Sequence, residues 1–333
     1  KPVHSLEHRS RDRLSGMGFS EVYLYSFMEM EKALTLGFME EEAVKLQNPI
    51  DSTADVMRTT LIPGMIGALE RNAKYVDRAL IYELGRGGIA DESQQTGTRE
   101  RRLLSFGMFD SLIEEGQGGE KSKFVSNPPV KGGAHFYSLA AVVQRIVGLV
   151  TREKVQLLPI KQVDSNKASK AGDFTAYKPW MHPLRAASIS VGGKTVGVIA
   201  ELNPAKGFQL RSRAALVELD LDLMLEVKET ELLFVPLAKF PESFFEMSIM
   251  LPERTPFSEL SGFLRQNVDP KMLRRLDVLD VYQGAPLEEG QKSISVRMGF
   301  GADDRTLSSE EIGELQKTLM SVIRSSKQYS LRG

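Results

Sequence analysis

The 333-residue chain contains no cysteine. Disulfide bridges and thiolate metal centres are therefore excluded, which fits a reducing compartment such as the cytoplasm. Histidine is scarce, at four residues. His4 and His8 stand at i, i+4 but no third ligand accompanies them; His135 and His182 are isolated and expected to be hydrogen-bonded structurally, so no metal site is expected. Charge of one sign is lacking too. A formal net charge of -1 sets up no global field toward nucleic acid or membrane, so any RNA contact must come from a local patch. The longest apolar-rich stretch, Tyr137 to Val150, is broken by Gln144 and Arg145 and falls short of the ~18 residues a membrane span needs. Lys1 to Ser10 is charged and has no apolar run of a secretory leader. The chain opens on Lys1 rather than Met, which reads as a piece of something longer.

What is present is the composition of a soluble globular protein, 41% hydrophobic and 26% charged, long enough for two or three domains. His4 to Gly18 reads as a helix stopped by Gly16 and Gly18, and Val22 to Phe27 as a strand. Pro63-Gly64 starts a helix through Tyr75, with Met65, Ile66, Leu69 and Ala73 at helical spacing. Ala79 to Leu84 and Leu103 to Phe109 are strands, and Ser111 to Gly133 is a long exposed loop. Phe136 to Val150 is an amphipathic helix with Leu139, Val142, Val143, Ile146 and Val147 on one side. Ala187 to Val191 and Thr195 to Ala200 form a hairpin through Gly192-Gly193, and Val217 to Asp220 is a further strand.

A boundary falls near Lys228 to Pro236, giving a first domain over 1–230 and a second over 236–333. The second has the order of a ferredoxin-like βαββαβ unit. Its strands are Phe244 to Leu251, Leu276 to Tyr282, Ser293 to Phe300 and Gln328 to Arg332; its helices are Pro256 to Asn267 and Ser309 to Ser325. Ser308 and Glu311 fit a capping box, with Leu307 and Ile312 as the hydrophobic staple. Ile312, Leu315, Leu319, Val322 and Ile323 supply the buried stripe.

Two motifs have bland readings. Ser188 to Thr195, SISVGGKT, suggests a phosphate loop, but Ser188 stands where the first Gly belongs and a strand follows instead of a helix. The carboxylate runs Glu40 to Glu42 and Asp303-Asp304 are solvated loops. The Ser293 to Phe300 strand is the most functional-looking element. Alternation sends Ile294, Val296, Met298 and Phe300 under the helices and Ser293, Ser295, Arg297 and Gly299 to the open face. Lys292 lies at the strand mouth and Tyr282 ends the neighbouring strand. An exposed aromatic stacks on an unpaired base, hydroxyls read base edges and cations hold phosphates. From Pro236 to Gly333 there are 13 Lys/Arg against 14 Asp/Glu, so RNA affinity should be modest.

Ordered segments then carry a family resemblance. Gly18 to Phe27 reads GFSEVYLYSF; Asn48 to Ile66 holds NP, then MRTTLIPGMI; Ile81 to Ile89 reads IYELGRGGI. His182 to Pro204 reads HPLRAASISVGGKTVGVIAELNP, Lys239 to Leu251 opens KFP, and Leu279 to Phe300, Thr306 to Ile312 and the final LRG follow. In this order, over essentially the whole chain, they resemble the β chain of bacterial phenylalanyl-tRNA synthetases. One departure is plain: an Arg-Asp pair of the family after Lys-Phe-Pro is Phe245-Glu246 here.

The resemblance implies an α+β protein: a class II aminoacyl-tRNA synthetase-like antiparallel sheet core with flanking helices, followed by a ferredoxin-fold anticodon-binding domain. It implies that the core does no chemistry and scaffolds a catalytic α subunit, two of each making the holoenzyme. The tRNA(Phe) anticodon arm goes to the second domain, through Tyr282, Lys292, Ser293, Ser295 and Arg297. Glu21, Tyr23, Tyr25, Phe27 and Arg58 are implied at the subunit interface. No cofactor is expected on this chain, ATP and magnesium being held elsewhere in the holoenzyme; no membrane or DNA partner is implied. The arginines that hold phosphates in class II catalysis find no match: Arg86 follows its strand too late, and Gly301 to Arg305 lies in the other domain. Arg58 as a nucleotide contact is outweighed by Arg58 tying loop carbonyls or a carboxylate. Two other readings stand beside this one, a free-standing RNA-binding or regulatory paralogue and a self-sufficient class II ligase.

Overall fold

Charged residues dominate the first helix, yet Leu6 and Leu14 recur on one side and are buried; that stripe seats α1 (Pro2–Gly16). Gly18, at φ 88°, turns the chain into β1 (Ser20–Glu21). The computed structural model describes residues 2–51, 53–110, 134–161, 169–210, 212–227 and 239–332. They divide between two compact units, Lys1–Glu231 and Leu232–Gly333. The exposed-loop reading of Ser111 to Gly133 and the boundary near Lys228 to Pro236 lie outside the described residues.

In the first unit, β2 (Phe27–Met28) and β3 (Val56–Met57) pair with each other, with α2 (Met30–Thr35) between them. Then come α3 (Ile62–Ala73), β4 (Arg78–Ala90), β5 (Thr98–Asp110), α4 (Ala134–Val147), β6 (Val155–Pro159), β7 (Met181–Val191), β8 (Lys194–Leu202), β9 (Ala214–Asp220) and α5 (Leu221–Leu225). A seven-stranded sheet runs β1-β4-β5-β9-β8-β7-β6, antiparallel except at β1/β4. Alternation along β5 gives the sheet two faces. Leu104, Phe106 and Met108 share a core with Leu139, Val143 and Ile146 of α4. Leu103 and Phe109 share another with Met65, Ile66 and Leu69 of α3. Each fully buried aliphatic side chain contributes roughly 1.5–3 kcal/mol, so a sheet covered on both sides is stable despite short helices.

Two readings of this unit are corrected. Val22 to Phe27 is not one strand: after Val22 donates to Tyr82 O (2.8 Å) the chain leaves the sheet and pairs again only at Phe27. The strands expected over Ala79–Leu84 and Leu103–Phe109 run thirteen residues each, as β4 and β5. Their extension passes through glycines that have a packing reason. A Cβ on Gly85 would stand 2.4 Å from Arg58 Nη2, and one on Gly87 2.5 Å from Thr59 O. Bare backbone lets the Arg58-Thr59 segment lie flat on β4. The β7–β8 hairpin turns at Gly192 and Gly193 with both φ positive, 56° and 78°, the geometry of a tight I′ turn; Ser188 to Thr195 is no phosphate loop. His135 Nε2 accepts from Asp110 N (3.1 Å), and His182 Nδ1 from Leu184 N (3.1 Å).

The second unit has the order β10 (Ser243–Pro252), α6 (Phe257–Gln266), β11 (Leu273–Gln283), β12 (Gln291–Phe300), α7 (Ser309–Ser325), β13 (Ser330–Leu331). The antiparallel sheet runs β11-β12-β10-β13, the ferredoxin-like arrangement. Ser308 and Glu311 form the reciprocal capping box at the start of α7, and Leu319 and Ile323 of that helix are buried. Ile294, Val296, Met298 and Phe300 join them in the core. One sheet face is thereby covered and the other left open.

Candidate nucleic-acid and subunit interfaces

The open face of the second unit is built by register. Tyr282, Ser293, Met250 and Ser330 are cross-strand neighbours over all four strands, so their side chains share a face. The next rows hold Asp280, Ser295 and Ser248, then Asp277, Arg297 and Glu246. Ser295 and Ser248 hydroxyls are 2.8 Å apart. Arg297 donates twice to Glu246 Oε1, from Nε at 2.8 Å and Nη2 at 2.6 Å. Glu246 stands in the departure from the family's Arg-Asp pair, while Phe245 is buried and stacks on Phe300 at 5.1 Å.

Ser293 departs from a simple outward-facing hydroxyl: it stands in register between Tyr282 and Met250, is 2% exposed, and among the described residues its Oγ has no hydrogen-bond partner. A buried hydroxyl with unspent hydrogen-bonding capacity is costly. Above it, Tyr282 donates its OH to Ala285 O, and the Arg332 guanidinium sits 4.7 Å from the centre of its ring, a cation–π contact. Lys292 lies on the opposite, helix-covered side by alternation. Burial pushes its pKa down, against the pull of Glu253. Four of the five sequence-predicted RNA residues, Tyr282, Ser293, Ser295 and Arg297, therefore come together, and Lys292 does not. Sequence reasoning missed Arg332 and Met250; the final LRG was the one available sign of Arg332. Arg275, Arg297 and Arg332 share the open face with Glu246, Asp277 and Asp280. The face is close to neutral. It is suited to stacking and hydrogen bonding more than to gripping a phosphate chain.

On the first unit, the five residues expected at a subunit interface divide by exposure. Tyr23 and Tyr25 are 79% and 62% exposed, and Tyr25 meets Phe27 edge-on at 5.2 Å. Glu21 is half-buried and accepts from Arg11 Nε at 2.9 Å. Arg58 turns inward. Its Nη1 donates to Glu83 Oε1 (2.7 Å) and Leu24 O (3.3 Å), and its Nε to Arg86 O (3.0 Å). Leu24 N also donates to Glu83 Oε1 (3.2 Å). Arg58 thus bears on the surface through the loop it holds, the one displaying Tyr23 and Tyr25. Burial pushes the Glu83 carboxyl up despite Arg58.

Residues 1–221 match the family model of the phenylalanyl-tRNA synthetase beta chain CLM domain, and residues 238–332 match that of the ferredoxin-fold anticodon binding domain. The chain belongs to the phenylalanyl-tRNA synthetase β-chain family. It is 30% identical to the phenylalanine–tRNA ligase beta subunit of Moorella thermoacetica, covering 99% of this chain and 38% of that one. It is 27% identical to the subunit of Solibacter usitatus at the same coverage. The chain thus spans little more than a third of the length of these curated relatives. Among solved structures, pyrrolysyl-tRNA synthetase from Desulfitobacterium hafniense aligns over 68% of each chain at 11% identity with a TM-score of 0.45, a likeness that carries no argument.

In this β-chain core, several charged groups are buried on the α3 side of the sheet. Glu218, fully buried, accepts from Thr60 Oγ1 (2.7 Å) and Leu61 N (2.8 Å). Burial pushes its carboxyl up, opposed first by nearby Arg101. Arg101 Nε donates to Asp220 Oδ2 at 3.0 Å. Lys178, 2% exposed, donates to Asp173 O (2.9 Å) and lies 5.6 Å from the Phe38 ring centre; burial lowers its pKa to about 8. Neither Arg101 nor Lys178 was marked by sequence reasoning, because nothing in their neighbourhoods signals burial. Among the described residues no group of three or more His, Asp or Glu is arranged to hold a metal ion, and no helix is long and apolar enough to cross a membrane.

Proposed function

We propose that this chain is a non-catalytic portion of a phenylalanine–tRNA ligase β subunit. Its first unit scaffolds the catalytic α subunit and its second binds the anticodon arm of tRNA(Phe). On this reading the protein works in the cytoplasm, and ATP and magnesium are held by parts of the holoenzyme outside this chain. The observation that carries the RNA half is the row at Tyr282. The Ser293 hydroxyl, buried and without a hydrogen-bond partner among the described residues, lies beside an aromatic ring already stacked by Arg332, on the open face of the unit that matches the anticodon-binding family. A base entering that row gains a stacking partner and offers the hydroxyl its missing hydrogen bond. The scaffold half is supported by the inward turn of Arg58 toward Glu83 and of Arg101 toward Asp220, which leaves both guanidinium groups buried instead of exposed to a phosphate.

The test is tRNA(Phe) binding to the full chain at fixed salt. Tyr282→Ala is expected to weaken it about tenfold, since one base–aromatic stack is worth ~1–3 kcal/mol. Ser293→Ala should cost less, and an unrelated tRNA should show a smaller dependence on Tyr282. Binding indifferent to Tyr282 overturns the RNA half. ATP–pyrophosphate exchange by the chain alone overturns the scaffold half.

A further inference from the structure

Beside α3 the first unit carries an open cleft, and two cations converge over Gly67 within it. A Cβ built on Gly67 would stand 3.3 Å from Arg71 Nη1 and 3.7 Å from Lys32 Nζ. Both side chains are exposed, and neither is paired with a carboxylate among the described residues. Two like unit charges no more than about 7 Å apart repel by at least about 0.6 kcal/mol in water, and by more once covered. A shared anion turns that repulsion into two attractions.

The walls around this pair are apolar: Leu24, Tyr25, Phe27 and Met28. Tyr23 and Ile50, 79% and 98% exposed, neighbour those walls in sequence. Apolar side chains so exposed mark an interaction surface when they cluster. Two carboxylates also line the cleft, Glu29 and Asp51. Asp51 is occupied by Thr53, accepting from its N at 2.9 Å and its Oγ1 at 2.7 Å. Negative groups at the rim disfavour a polyanionic backbone, whereas one carboxylate on an apolar protein surface can reach the cations and bury its surroundings on the aromatic wall.

We propose that this cleft is a docking socket for a partner protein surface that presents a carboxylate flanked by apolar side chains, with Lys32 Nζ and Arg71 Nη1 as joint hydrogen-bond donors to that carboxylate. The proposal rests on the reading that the first unit docks the α subunit, and its occupant is that subunit.

The experiment measures affinity of the full chain for the α subunit, with the melting temperature of each variant as a check on folding. K32E/R71E is expected to weaken the complex about a hundredfold and K32Q/R71Q about tenfold, both without loss of tRNA(Phe) binding. K206E, an exposed reversal outside the cleft, should change neither. If the double reversal fails to fold, the neutral pair still decides the matter. Unchanged α-subunit affinity in K32Q/R71Q, or an equal loss in K206E, overturns the socket while leaving the scaffold reading intact. Loss of tRNA binding in place of α-subunit binding overturns it in favour of a phosphate site. No binding of the α subunit by the unaltered chain removes the scaffold reading and the socket with it.

Discussion

The two units use the same material, an antiparallel sheet with helices on it, and differ in what they do with charge. In the first, both faces of the sheet are covered, and Glu83, Glu218, Asp220, Arg58, Arg101 and Lys178 sit inside with partners drawn from the same unit. In the second, helices cover one face, and the Arg297–Glu246 pair lies on the other, both side chains about half exposed. Buried charges cannot be removed singly without leaving a partner stranded, while exposed pairs contribute little and can be traded for a ligand. The contrast fits the proposed division of the chain into a scaffold unit and an RNA-reading unit.

The comparison is most easily broken at Glu218. Glu218→Ala strands Thr60 and the Leu61 amide in the core and is expected to cost about 3–5 kcal/mol, read as a fall in denaturation midpoint. A variant as stable as the unaltered protein means that the interior network does not hold the first unit together. Lys178 gives the next largest effect. Its pKa is about 8 in the folded protein and ordinary in the unfolded chain, so between about pH 8 and 10.5 only the unfolded chain keeps the proton. Stability therefore rises with pH across that window, by on the order of 3 kcal/mol, and below it the full burial cost is present. Lys178→Met should remove this part of the slope; superimposable stability–pH curves for the two proteins contradict it.

The smallest effect sharpens the other side. Glu246→Gln frees Arg297 from a surface pair worth no more than about 1 kcal/mol. Stability should hardly change, while tRNA(Phe) affinity rises a few-fold with a steeper salt dependence, as Arg297 becomes available to phosphate. Weaker binding by this variant reverses the assignment and makes Glu246 itself a contact.

Much of the second unit was legible in residue order. Strand alternation over Ser293 to Phe300 sorted the covered face correctly, and Ser308 with Glu311 marked the start of α7 because a capping box is a local interaction. The same alternation puts Lys292, grouped with them as lying at the strand mouth, on the other side of the sheet from Ser293, Ser295 and Arg297. In the first unit, the stripe from Leu139 to Val147 identified α4. Val22 to Phe27 misled, since a run of aromatic and β-branched residues has strand propensity whether or not it finds a partner. The strand was read only as far as Leu84, and the role of Gly85 and Gly87 was not legible, for the Arg58-Thr59 segment they accommodate is distant in sequence.

The sequence by itself determined the class of protein, the order of its elements and the faces of its best-patterned strands. These depend on short-range periodicity and on motifs spread along the whole length. Tertiary structure alone decided that Arg58 and Arg101 turn inward, that Arg332 covers Tyr282, that Glu246 meets Arg297 and that Lys32 and Arg71 converge. Each of those outcomes is set by a partner from another part of the chain, and a charged residue has no local pattern that announces whether water or a distant carboxylate will be its neighbour.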